Sequence, residues 1–108
     1  MKTYKILQWV TGLCEAFLAI PIIGGAFVFG NFYIPLFVMF ALHIVTLMYA
    51  KKEARSSAQS AGSIVGIITS CIAWIPIVGW IMHLITAVIL LISAAIKDNK
   101  EGEVEVID

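Results

Sequence analysis

Residues Thr3 to Ile23 (TYKILQWVTGLCEAFLAIPII) form an apolar run long enough to cross a bilayer, with a single carboxylate, Glu15, near its middle. A charge at that depth is costly, and ionisable groups within membranes face a protein interior or a watery cavity rather than lipid. A chain that holds one there must wrap it in further segments. The rest of the sequence supplies them.

Only 13% of the 108 residues are charged, while 61% are hydrophobic and the mean hydropathy is +1.00. A water-soluble domain has about 25% charged and about 45–50% apolar residues. There is too little polar surface here to face water, so the solvent is read as lipid. Lys2 and Lys5 ahead of an apolar run look like the start of a signal peptide. Glu15 interrupts that run and no small-x-small cleavage site follows it, so the segment is read as a retained transmembrane helix.

Four spans are expected, over about residues 3–23, 35–50, 58–75 and 77–96. Pro21 lies in the last turns of the first and can kink it or end it early. Gly24-Gly25 and the uncharged aromatic stretch AFVFGNFYI follow. Residues 24–34 therefore read either as an outer turn at headgroup level or as a partly embedded re-entrant segment. Pro35 suits the first turn of the second span. As one helix, Ala61 to Ile96 would be about 54 Å long against a hydrocarbon core of about 30 Å, so two spans are expected there, turning near Pro76 and Gly79.

With four spans, both termini and the loop 51–57 fall on one side. Lys2, Lys5, Lys51, Lys52, Arg55, Lys97 and Lys100 all lie on it, and the opposite turns carry no basic residue. This positive-inside pattern predicts cytoplasmic N- and C-termini. The expected fold is thus all-α. Residues 1–96 form a four-helix transmembrane bundle in the plasma membrane, and residues 97–108 are a short acidic cytoplasmic tail, read as a solvated end. The economy of the loops suits a prokaryotic cell.

A weak internal repeat is visible. Tyr33-Ile34-Pro35 precedes His43 and Thr46 much as Trp74-Ile75-Pro76 precedes His83 and Thr86. If this reflects duplication, the bundle is two parallel helical hairpins.

Each span carries one stripe of small or polar residues at spacings of three and four, which keeps them on one helix face. The stripes are Gln8, Thr11, Gly12, Glu15 and Ala19; then His43, Thr46 and Ala50; then Ala58, Gly62, Gly66 and Ser70; then Gly79, His83, Thr86 and Ser93. Gly12, Gly62, Gly66 and Ser70 are the expected close-packing positions, within the chain or between copies, because small residues let helix backbones approach in lipid.

Glu15, His43 and His83 are the intramembrane polar or proton-linked candidates, with Thr46 and Thr86 beside them. Counted from the expected inner helix ends, Glu15 lies about 18 Å up the first span, His83 about 21 Å up the fourth and His43 about 12 Å up the second. Glu15 and His83 are therefore expected to pair. His43 should face the same interior one to two turns nearer the cytoplasm. The bland alternative for all three is interhelical hydrogen bonding. Two histidines and a carboxylate could hold a transition metal, and the depth offset argues against bis-histidine haem. Neither metal nor cofactor is assigned. Cys14 and Cys71 lack any CxxC or metal-finger spacing and read as buried free thiols.

Enzyme signatures are absent: no P-loop, no GxSxG, no HExxH and no paired carboxylates within the spans. No basic patch supports nucleic-acid binding. The juxtamembrane KKEAR run reads as a topology determinant that can touch anionic headgroups. The expected function is a non-catalytic accessory, assembly or regulatory component of the membrane. Its partners are the bilayer and another membrane protein or a second copy.

The chain length, the four spans and the segment Gly12-Leu13-Cys14-Glu15-Ala16 resemble the small multidrug resistance transporters. The resemblance implies a compact dimeric exporter in which Glu15 exchanges protons for cations. It covers the first span and the overall layout. The family's aromatic-and-glycine motif in the third span has no counterpart in SAGSIVGIITSCIAWIP, and the two histidines lie outside its pattern.

Overall fold

The computed structural model describes residues 2–97 and 105–106. The described chain is mainly helical, with short turns between the helices and one short pairing near the C-terminus. Helix α1 spans Thr3–Leu18, α2 Ile23–Gly30, α3 Ile34–Glu53, α4 Ala61–Ile72 and α5 Pro76–Ala95, with one 3-10 turn at Ser57–Ser60. Ile96–Lys97 pairs antiparallel with Glu105–Val106. The rest of the tail, and with it the expectation of a solvated end, lies outside the described residues.

Helix α1 packs chiefly on α5 and also on α3, while α4 packs on α3 and α5. The start of α1, the end of α3, the 3-10 turn and the end of α5 meet at one end of the assembly. Tyr4 N–H donates to Glu53 Oε1 at 3.1 Å, and Lys2 Nζ donates to the Glu53 carbonyl at 3.0 Å. An unpaired N–H at a helix start and an unpaired carbonyl at a helix end thus find partners on the neighbouring helix.

Helices α3 (Ile34–Glu53) and α5 (its stretch Ile77–Ala95) are each long and apolar enough to cross a membrane. The first span departs from its expected extent. Helix α1 stops at Leu18 rather than Ile23, and α2 turns away from it by 99°. The break is a tight turn at Ile22 (φ 70, ψ −55), with Ile23 N–H donating to the Pro21 carbonyl at 2.8 Å. This is a γ-turn in its rare, strained form. Gly24 permits the reversal, because a Cβ there would sit 2.0 Å from the Leu18 carbonyl oxygen. Residues 24–34, open at the sequence level between a turn and a re-entrant segment, hold the short helix α2. It is pinned to α1 by an edge-to-face contact of Phe17 and Phe27 at 5.2 Å. Phe32 and Tyr33, both at positive φ, then lead into α3.

Helix α3 runs on through Lys51, Lys52 and Glu53, beyond the expected end at Ala50. Two lysines in a last turn complement the negative end of the helix dipole. The third apolar helix is shorter than the expected 58–75. It runs from the 3-10 turn at Ser57 to Ile72, and Ser56 Oγ accepts the Ala58 N–H at its start.

Polarity is inverted relative to a water-soluble protein. Among the described residues, buried polar and charged side chains outnumber buried apolar ones, and most large aliphatic and aromatic side chains face outward. The apolar core is confined to a cluster of Leu18, Val28, Leu36 and Met39 near α2. Cys14 is half-buried and Cys71 exposed, both as free thiols, so the expectation of burial is corrected for Cys71, which lies on the outward face of α4.

Candidate functional site: a buried carboxylate between two imidazoles

The interior stripe of α1 is Lys5, Gln8, Thr11, Gly12 and Glu15, all buried. Spacings of three and four carry it up one face. Glu15 is fully buried (0% exposed). Its Oε1 accepts from Nε2 of His43 on α3 at 2.7 Å, and its Oε2 accepts from Nδ1 of His83 on α5. One carboxylate therefore joins three helices. With the carboxylate ionised, both contacts require N–H donors, Nε2–H of His43 and Nδ1–H of His83, which in neutral rings are opposite tautomers. His43 Nδ1, on the far side of its ring, is buried without a hydrogen-bond partner.

The geometry corrects the depth estimated for His43. Counting from Ala50 sets it below Glu15. Because α3 extends to Glu53, and Glu53 stands level with Tyr4, the true count differs. From that shared level His43 lies about 15 Å along α3 and Glu15 about 16.5 Å along α1. Both histidines reach the same carboxylate.

Gly66 on α4 forms the seat of His43: a Cβ there would lie 2.5 Å from the imidazole ring. Gly12 and Gly62 both pack against α5, where a Cβ would meet Leu91 Cδ2 at 2.8 Å and Leu90 Cδ2 at 2.7 Å respectively. These small residues serve contacts within the chain. Ser70 Oγ donates to the Gly66 carbonyl at 3.0 Å, inside its own helix. Thr46 Oγ1 likewise donates to the Leu42 carbonyl at 2.8 Å. Thr86 lies across from Thr69, their hydroxyl oxygens 2.7 Å apart, linking α5 to α4.

Towards the termini the polar interior continues. Gln8 Nε2 donates to Gln59 Oε1 at 3.1 Å and to the Gln59 carbonyl at 3.0 Å. Lys5 Nζ donates to Gln59 Oε1 at 3.1 Å and to the backbone carbonyls of Ser93 and, at 2.9 Å, Ile96. A buried ammonium thus satisfies the last carbonyls of α5, where the helix dipole favours positive charge. In the sequence alone Lys5 reads as a topology charge, and Gln59, Ser63 and Thr69 do not stand out. Lys5 was legible, since it continues the Gln8–Gly12–Glu15 stripe. Gln59 gave no signal, because it sits in a polar stretch that reads as loop.

At the opposite end of the assembly a cavity of about 350 Å³ opens beneath α2, with His83 at its floor and Phe29, Tyr33, Trp74 and Trp80 in its walls. Among the described residues no group of three or more His, Cys, Asp or Glu is arranged to hold a metal ion. Glu15 and the two rings form a compact centre that can store, share or release protons among three titratable groups, while joining α1, α3 and α5. Compared with known protein families, curated proteins and solved structures, the chain matches none.

Proposed function

We propose that this chain is a four-span protein of the plasma membrane with both termini in the cytoplasm. It acts there as a non-catalytic component that packs against another membrane protein or a second copy of itself. The inverted polarity supports lipid as the solvent: interior positions are polar and mutually bonded, and outward faces are apolar. Helix α1, and the helical stretch from Ser57 to Ile72, are each about 24 Å long, which fits a locally thinned bilayer. Helix α2 then rests at the outer interface, and the four long helices form the bundle.

The observation that carries the functional reading is the engagement of both Glu15 oxygens by His43 and His83 at zero exposure. The intramembrane charge is used to hold helices together, and the apolar outward faces of the helices are what remains for recognition. The test is purification of the tagged protein from its native membrane in mild detergent, with native mass spectrometry of the product. A stoichiometric partner supports the reading, whereas a clean homodimer without one moves the weight to transport. A monomer without companions overturns it.

One observation favours a second reading, proton-coupled transport of a small molecule: the cavity under α2 reaches His83, which bonds Glu15. That reading requires Glu15 to titrate. In proteoliposomes Glu15→Gln would then abolish pH-driven flux, whereas an accessory protein tolerates the change.

A further inference from the structure

The cavity beneath α2 is distinct from the exterior faces used in the reading above. Its rim is exposed, at Ile22, Phe29, Trp74 and Trp80, and its floor at His83 is buried. No Asp, Glu, Lys or Arg lines it. A charged molecule entering would lose its hydration without a counter-charge in the wall, at a cost that apolar contacts do not offset. The walls offer flat aromatic faces, which favour ring stacking. His83 lines the cavity and gives its Nδ1–H to Glu15, so its other ring nitrogen, Nε2, is an acceptor. About 350 Å³ is within the range of small-molecule sites.

We infer that this cavity is a binding site for a neutral, flat, lipid-soluble ring bearing a hydroxyl, the chemistry of a phenol or quinol. The ring stacks among Phe29, Tyr33, Trp74 and Trp80, and its hydroxyl donates to Nε2 of His83. Because His83 also holds Glu15, occupancy of the cavity is transmitted to the contact between α1 and α5. The site gives a component without catalytic groups a means of sensing the lipid-soluble pool around it.

The test uses the full chain in nanodiscs and para-bromophenol, a neutral hydroxyl donor whose bromine quenches tryptophan, as probe, read by quenching of tryptophan fluorescence. Trp74 and Trp80 report the cavity in a Trp9→Phe background. Trp9, alone in a Trp74→Phe/Trp80→Phe background, reports partition into lipid. The expected result is saturable quenching at Trp74 and Trp80 and weak, linear quenching at Trp9. His83→Asn keeps a donor where Nδ1 stood and removes Nε2. It should weaken binding by about three- to tenfold, the value of one hydrogen bond. Gly25→Phe, at a position where an added Cβ meets nothing within 4 Å, leaves the Glu15 centre intact. It should reduce saturable quenching by filling the cavity, and it carries the test if His83→Asn does not fold. Equal, linear quenching at all three tryptophans overturns the proposal. So does saturable binding indifferent to both variants, or preferential binding of the cation tetraphenylphosphonium. None of these outcomes bears on whether the purified protein has a partner.

Discussion

Glu15 Oε1 lies 2.7 Å from Nε2 of His43, and the partner on its other oxygen, His83, presents Nδ1 instead. Two histidines on different helices thus meet one carboxylate through different ring nitrogens. The side-chain amides of Gln and Asn place a donor near Nε2 and Nδ1 respectively. His43→Gln and His83→Asn should therefore be tolerated, within about 1 kcal/mol. The exchanged pair, His43→Asn and His83→Gln, should each lose a bond and cost more, up to about 1.7 kcal/mol at the upper end for membrane hydrogen bonds. SDS-titrated unfolding in mixed micelles, followed by helicity, measures the four variants. Nitrogen-15 shifts of the imidazoles should independently show the Nε2–H form at His43 and the Nδ1–H form at His83.

Replacing the carboxylate separates shape from hydrogen bonding. Glu15→Gln offers one acceptor and one donor, so both rings keep a partner once one of them changes tautomer. A loss under about 1 kcal/mol is expected. Glu15→Leu strands two buried imidazole N–H groups at about 1–3 kcal/mol each and should lower the yield of folded protein. Equal yields and equal unfolding midpoints for the two variants would count against the centre as a structural clamp.

The glycines of α4 differ in what they face. Gly66→Ala drives a methyl to 2.5 Å from the His43 ring, which is held at Nε2 and cannot swing freely. Overpacking of this kind costs about 1–3 kcal/mol. Gly62→Ala meets mainly the end of Leu90, which can move, so a smaller loss is expected. Gly30→Ala touches nothing and should gain a few tenths to about 1 kcal/mol from helix propensity. The order Gly30→Ala, Gly62→Ala, Gly66→Ala in falling stability is the expected outcome of the same unfolding titration.

Lys5 closes the other end of the polar interior. Lys5→Met keeps the volume but removes the donor to the Ser93 and Ile96 carbonyls. A loss of about 1.5–3 kcal/mol is expected, the worth of hydrogen bonds to a charged group. Lys2→Met removes an exposed bond to the Glu53 carbonyl and should change stability by under about 1 kcal/mol. Comparable effects at the two lysines would overturn the assignment of Lys5 as the cap of α5.

Ile22 is 87% exposed and stands at φ 70, where a β-branched residue is strained. Ile22→Gly forfeits little burial and relieves about 1–2 kcal/mol of backbone strain. The greater freedom of glycine in the unfolded chain offsets part of this. A net change between zero and about 1 kcal/mol in favour of folding is expected. Marked destabilisation would show that Ile22 packs against something essential.

Much of this protein follows from one-dimensional pattern. The scarcity of charge and the long apolar runs favour apolar helices, whose backbone groups bond within the helix itself. The three- and four-residue stripes dictate which face of each helix is polar, and so that Glu15, His43 and His83 point inward. Pattern does not determine how far each helix slides or rotates against its neighbours. That depends on three-dimensional contacts: Gly66 seating the His43 ring, Glu53 reaching Tyr4, and Gly12 and Gly62 admitting the leucines of α5. Those contacts bring His43 level with Glu15, where counting from the expected helix ends separates them. They also turn Lys5 inward as a cap, and the strained turn at Ile22 folds α2 back over a cavity. Hydropathy records what each residue prefers as surroundings, and only the packed structure decides which neighbour supplies them.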